Sequence, residues 1–184
     1  QAGDKSRWSV PRHLDLYYGG GWHRARGKAE PTFNPANGQV LAHVAEAAAE
    51  DVDAAAQAAR QGFRSWSAIS AAERGALLRE MAVRLRANAE ELAWLDAVNC
   101  GNPVREMARD VLTAAAHLDY FSGLVHELKG ETIPTADNGL NYTVREPLGV
   151  VARIAAYNHP LMFTAAKAAP ALAAGNSVIM KAPA

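Results

Sequence analysis

Apolar and polar positions alternate in short runs at the start of this chain, recur at helical spacing through its middle, and gather into unbroken apolar runs near its end. The segment LDLYYGGGWHRA sets aromatics around Gly19, Gly20 and Gly21 and predicts a β-ribbon or hairpin arm. A second short strand, QVLAHVA, follows the turn NPANG, in which Asn37 and Gly38 form a tight-turn dipeptide. From Glu50 the pattern turns helical. EDVDAAAQAARQGFRSW carries acidic residues in its first turn, where they oppose the helix dipole, and Val52, Ala55, Ala56, Ala59 and Phe63 along one face. Ser70 with Glu73 reads as a capping box ahead of Leu77, Leu78, Met81 and Leu85, and Asn88 with Glu91 as a second one whose helix ends at Gly101. Asn102 as cap and Pro103 at the first position start a long helix that carries Val111, Ala115, Leu118 and Phe121 toward the core and ends near Gly130. ETIPTADNG is predicted as a loop and LNYTVRE as a strand. The alanine-rich helices predict close packing against a sheet or another subunit.

The last third organises the rest: REPLGVVARIAAYNHPLMFTAAKAAPALAAGNSVIMKAPA, from Arg145 to Ala184, reads as strand, crossover helix, strand. The run VVARIAA is a buried strand bounded by Pro147 and Gly149. A helix begins near Pro160, because proline is favoured in the first turn, and stops at Gly175, with Pro170 predicting a kink. SVIM is then a parallel partner for the first strand. In open α/β sheets ligands bind beyond the carboxyl ends of the strands. Tyr157, Asn158 and His159 leave one such end and Lys181 the other, so an amide and an ammonium face one crevice. His159, Met162, Phe163 and Ala166 follow at i, i+3, i+4 and i+7, one face of the new helix.

At these residues the chain resembles the aldehyde dehydrogenase superfamily. The matching pieces are EPLGVV, YNHP where the family usually has WNFP, and KAAPALAAGNSVIMK over the crossover helix and following strand, with GETIP and NYTVREP upstream. NPANGQV, AEDVDAAAQAARQGF, SAAERGALL and the NCGNP turn extend the likeness more loosely over almost the whole chain. Several motifs in the right order are more specific than one short motif. The implied fold is α/β, the N-terminal part of an aldehyde-dehydrogenase-like Rossmann-type domain: an N-terminal β-ribbon, several helices and a βαβ unit at the C-terminal end. Residues 1–46 are expected as the arm and its strands, which help bridge subunits in the family. Residues 47–184 are expected as an incomplete dinucleotide-binding domain, its βαβ unit over 140–184, with the catalytic domain absent. Where the family usually has Thr or Ser, this chain has Ala48, which predicts a weak cap for the first helix.

What the resemblance implies for the site goes residue by residue. By position Asn158 is a helix cap beside Pro160; by resemblance its side-chain N–H stabilises the oxyanion formed when a cysteine thiolate attacks the aldehyde. Lys181 is a solvated lysine or, by resemblance, a hydrogen-bond donor to the adenosine ribose of NAD or NADP. The backbone of Ile154, Ala155, Ala156 and Tyr157 is expected along that cofactor. Three residues after the lysine, where the family often has Glu, stands Ala184; NADP should then be tolerated at least as well as in Glu-bearing relatives, and a strong measured preference for NAD would sink this expectation. His159, Met162, Phe163 and Ala166 match positions lining the substrate tunnel, or are plain core. Cys100, in VNCGNP, aligns with a structural turn; the catalytic cysteine and glutamate lie downstream in the family and outside this chain.

Composition narrows the rest. With 19 basic and 19 acidic residues in 184 the formal charge is zero, which gives no footprint for nucleic acid or an anionic membrane. No run approaches the roughly 20 apolar residues of a spanning helix, and no signal-peptide pattern opens the chain. One cysteine forms no internal disulfide and fits a reducing compartment, so the cytoplasm is expected. The histidines lack metal-ligand spacing, so no metal is expected. A doubly wound sheet needs more strands than are encoded here, and the chain opens with Gln1, so it reads as an N-terminal fragment. The function implied is oxidation of a small-molecule aldehyde to a carboxylic acid with NAD(P), through a cysteine thiohemiacetal and thioester, by a homodimer or homotetramer. The isolated fragment, lacking its nucleophile, is expected to be inactive. The alternatives are a truncated non-catalytic nucleotide-binding or interaction module, and a relative that passes the acyl group to phosphate or coenzyme A.

Overall fold

A computed structural model describes residues 9–183. In chain order the elements are β1 Leu16–Tyr18, β2 Gly21–His23, β3 Ala29–Phe33, β4 Val40–Ala45, α1 Ala49–Ala68, α2 Ala71–Ala87, α3 Ala89–Cys100, α4 Val104–Gly123, β5 Thr132–Ile133, β6 Asn141–Tyr142, β7 Val150–Ile154, α5 Pro160–Ala173 and β8 Ser177–Lys181. β1 pairs with β2, β3 with β4 and β5 with β6, each antiparallel; β7 and β8 pair parallel, joined by α5. The arm, its second strand and the strand–helix–strand unit therefore lie where the apolar pattern placed them. Parallel pairing follows from the crossover, since a strand cannot reverse onto a parallel neighbour without one.

The core lies between helices. Leu78 and Ala82 of α2, Ala115 and Leu118 of α4, and Ala169 and Ala173 of α5 form one buried cluster, closed by Val125. Ala93, Met107 and Val111 form a second, between α3 and α4, with Leu161 and Cys100 against it. The alanines let α4 and α5 approach closely. α5 ends as predicted at Gly175, whose φ of 86° suits a residue without Cβ. Its last carbonyls are taken by side chains: the Trp66 indole donates to the Leu172 carbonyl at 2.9 Å and Arg74 Nε to Ala173 at 3.3 Å, a cation at the negative end of the dipole. The buried Asn176 joins both sides of the unit. Its Oδ1 accepts from the Gly149 N–H at 2.9 Å and its Nδ2 donates to the Ala171 carbonyl at 3.1 Å.

Several expectations are corrected. Asn88 does not cap α3. Its Nδ2 donates back to the Arg84 carbonyl at 2.8 Å, and its φ and ψ of −111° and 19° are not the extended geometry of an N-cap. With α2 and α3 meeting at one residue, the free carbonyls behind it win. Asn102 does not cap α4 either, because Pro103 takes the flanking position with extended geometry and Asn102 stands one residue too early. α4 stops at Gly123 rather than near Gly130, where the chain turns to bury Val125. The loop ETIPTADNG contains β5, and the strand expected over LNYTVRE shrinks to Asn141–Tyr142, since both partners are exposed and have no layer to pack on. On α2 the covered residues are Gly75, Leu78 and Ala82, leaving Leu77 and Met81 exposed, and Val52 of α1 is exposed as well.

Candidate functional site

The carboxyl ends of β7 and β8 are level. Ile154 pairs with Lys181 in the parallel register, and the Ala155 N–H donates to the Lys181 carbonyl at 3.1 Å. The chain then leaves regular structure over Ala155 to His159 and re-enters it at Pro160, the first residue of α5. Ala155 is buried; Ile154, Ala156, Tyr157, Asn158 and Lys181 are exposed. Among the described residues neither the Asn158 side-chain amide nor the Lys181 ammonium has a hydrogen-bond partner, so both groups are free to meet a ligand. Ala184 lies outside the described residues. Of the expected pocket residues, Ala166 is buried, Met162 and Phe163 are half-buried, and the His159 and Phe163 rings meet edge to face at 5.8 Å.

The α3–α4 side of this turn carries polar groups whose contacts here sequence spacing did not foresee. Asn102 Nδ2 donates to the Asn158 carbonyl at 2.7 Å. His159 Nδ1 lies 2.6 Å from Asp110 Oδ2, a carboxylate only 13% exposed. Asp96 Oδ2 accepts the Leu161 N–H at 3.1 Å, at the positive end of α5. Burial raises the Asp96 carboxyl above the ordinary range; the Leu161 N–H opposes this, the Asp110 charge adds to it and His159 opposes it. No local motif marks Asp96 or Asp110, and the cap signal of Asn102 pointed to α4 rather than to Asn158; their partners lie 65, 49 and 56 residues along the chain. Mid-helix acids aimed at another helix's first turn are the only signal, and it is visible only after folding.

Cys100 closes α3, and its Sγ lies 3.8 Å from Met107 Sδ, inside the second apolar cluster. Arg153 on β7 has a buried Nε with no partner among the described residues. Two open grooves lie elsewhere, along the outer face of α1 and beside β5 and β6; neither includes a predicted site residue. Among the described residues no group of three or more His, Cys, Asp or Glu is arranged to hold a metal ion, and no helix is long and apolar enough to cross a membrane.

This arrangement, a parallel pair with an amide-bearing turn and an ammonium at its carboxyl ends, can be set beside known proteins. The description "Aldehyde dehydrogenase family" matches residues 22–184. The chain belongs to the aldehyde dehydrogenase family. It is 45% identical over 179 residues to the aldehyde dehydrogenase tropH of Talaromyces stipitatus, covering 95% of this chain and 35% of that protein. Among solved structures, PnpE from Pseudomonas sp. WBC-3 superposes with a TM-score of 0.87 at 43% identity, over 92% of this chain and 35% of that one. An aldehyde dehydrogenase from Bacillus cereus in its NAD+ complex gives 0.89 at 36% identity, over 93% and 36%. The mixed α/β architecture is thus that of the N-terminal part of aldehyde dehydrogenases, and the chain spans about a third of the length of these relatives.

Proposed function

We propose that the protein carrying this chain oxidises an aldehyde to a carboxylic acid with NAD or NADP, and that Asn158 is the oxyanion donor contributed from this part. The observation that carries the reading is the turn after β7: it presents a side-chain amide with no partner among the described residues, while its backbone is held by Asn102. An N–H aimed at the oxygen where charge develops is worth more in the transition state than in the ground state, and this raises kcat. Nucleophile and base are expected outside this chain.

The residues at the strand ends fit a dinucleotide. Level carboxyl ends, the small side chains of Ala155 and Ala156, and the Lys181 ammonium, unpaired among the described residues, leave room and one cation beside Ile154 and Tyr157. PnpE and the Bacillus enzyme are each described in complex with the NAD form, which supports the same cofactor class here. When bound, the nicotinamide supplies the hydride acceptor. Lys181 then donates to a ribose hydroxyl, and His159, Met162, Phe163 and Ala166 border the aldehyde. A homo-oligomer in the cytoplasm, with the residue 1–46 arm between subunits, completes the reading.

The test is Asn158→Ala in the complete gene product, assayed with a panel of aldehydes and NAD or NADP. The expected loss in kcat is about 100-fold to 1,000-fold, as for other single oxyanion donors. An unchanged kcat, or a wild type that oxidises no aldehyde, overturns the proposal.

A further inference from the structure

The oxyanion role of Asn158 depends on where its backbone points, and nothing in the turn itself fixes that. Ala155 to His159 form no helix or strand, Asn158 is exposed, and α5 begins with no side-chain cap. The hold comes from the helices α3 and α4. Gly101 ends α3 with a φ of 81°, and a Cβ there would approach Pro35 Cγ to 2.8 Å, so a small residue in the left-handed region is required. The reversal it makes brings Asn102 against the β7–α5 turn, where Nδ2 donates to the Asn158 carbonyl at 2.7 Å. Its other contact, Met107 Sδ at 4.0 Å, is weak. Asp110 holds the next side chain, His159, and Asp96 the Leu161 N–H. Three groups, one from the α3–α4 turn and one from each of the two helices, thus grip residues 158, 159 and 161.

We infer that Asn102 is a positioning residue for Asn158: by fixing the Asn158 carbonyl it sets the ψ angle of that residue, and with it the direction in which the side-chain amide leaves the backbone. The inference rests on the oxyanion reading of Asn158 given above. The contact is at the surface, so water can replace Asn102 at the carbonyl without leaving a buried group unmatched. Its loss therefore costs little stability. What it costs is orientation, and small displacements of a catalytic donor are expensive in rate.

The experiment is a double-mutant cycle in the complete enzyme. Asn102→Ala should lower kcat about tenfold with KM changed less than about threefold, since the donor is misplaced while the aldehyde pocket is kept. In an Asn158→Ala background the same substitution should change kcat less than about twofold, because the group it positions is gone. Asn102→Asp keeps the shape but turns an acceptor toward the carbonyl, so it should lose at least as much kcat as the alanine. It also serves where the alanine variant folds poorly. Equal fold losses in both backgrounds, or an Asn102→Asp enzyme with wild-type kcat, overturn the inference. If Asn158→Ala itself leaves kcat unchanged, the oxyanion reading fails instead.

Discussion

At the start of α1, Asp51 is 3% exposed and its Oδ2 accepts two backbone N–H groups, from Arg26 at 2.8 Å and Ala48 at 3.0 Å, with the Arg26 guanidinium 3.8 Å from Oδ1. At the start of α5, Asp96 is only half-buried, accepts one N–H, from Leu161, and faces a second carboxylate, Asp110. The more buried aspartate is held below the ordinary carboxylate range, first by the Arg26 N–H and then by the Ala48 N–H; the less buried one is raised. For Asp96 desolvation is the first cause, opposed by the Leu161 N–H and reinforced by the Asp110 charge; for Asp51 the two N–H groups outweigh desolvation and the Arg26 charge helps them. Asp51 ties the arm to the helical body, whereas Asp96 holds the Leu161 N–H at the start of α5.

The largest effect comes from breaking the α1 side. Asp51→Ala strands two N–H groups and releases Arg26, and a melting curve at pH 7 should drop by roughly 5 °C or more. Asp51→Asn separates charge from shape. Because the folded carboxyl titrates below its unfolded value, its stabilisation is present above about pH 4 and is lost as the pH falls through the lower folded value. The gap between wild type and Asp51→Asn should accordingly narrow from pH 7 to pH 3. A gap that stays constant would mean the carboxylate charge contributes nothing.

These two helix starts also divide what the sequence discloses from what it does not. The acidic first turn of α1 is legible, and so is the absence of a side-chain cap at Ala48; the reciprocal bond from Asp51 could be read three residues on, but the Arg26 N–H, 25 residues upstream, could not. Ser70 and Glu73 are fully legible because both partners lie within one turn. Asn88 and Asn102 carry the same local signal and do otherwise, since a free carbonyl of α2 and the carbonyl of Asn158 compete for their amides. The βαβ unit is legible through its unbroken apolar runs, Pro160 and Gly175. The residues gripping its turn come from helices far along the chain, and no period marks them.

Ser70→Ala supplies the intermediate scale for the comparison. The Ser70 hydroxyl accepts the Glu73 N–H at 3.2 Å and donates to Glu73 Oε2 at 2.7 Å, while that carboxylate accepts the Ser70 N–H at 2.8 Å. Its loss should cost about 1 kcal/mol, as for other N-caps. The Glu73 carboxyl, lowered first by that hydroxyl and then by the Ser70 N–H, should titrate closer to its ordinary value in the variant, read by NMR of the side-chain carboxyl. If Glu73 does not move, the hydroxyl is not what holds it.

The smallest effect, and the one of opposite sign, belongs to Asp96. A carboxyl raised in the folded state binds its proton more tightly there than in the unfolded chain, so stability falls as the pH rises from the unfolded value through the raised one, and the cost persists above it. Asp96→Asn removes the charge and keeps an oxygen that can accept the Leu161 N–H. Thermal melts should show the variant equal to wild type near pH 3 and slightly more stable at pH 7, the reverse of Asp51→Asn over the same window. A variant that melts lower at pH 7 would show that the ionised Asp96 stabilises the start of α5, as Asp51 does at the start of α1.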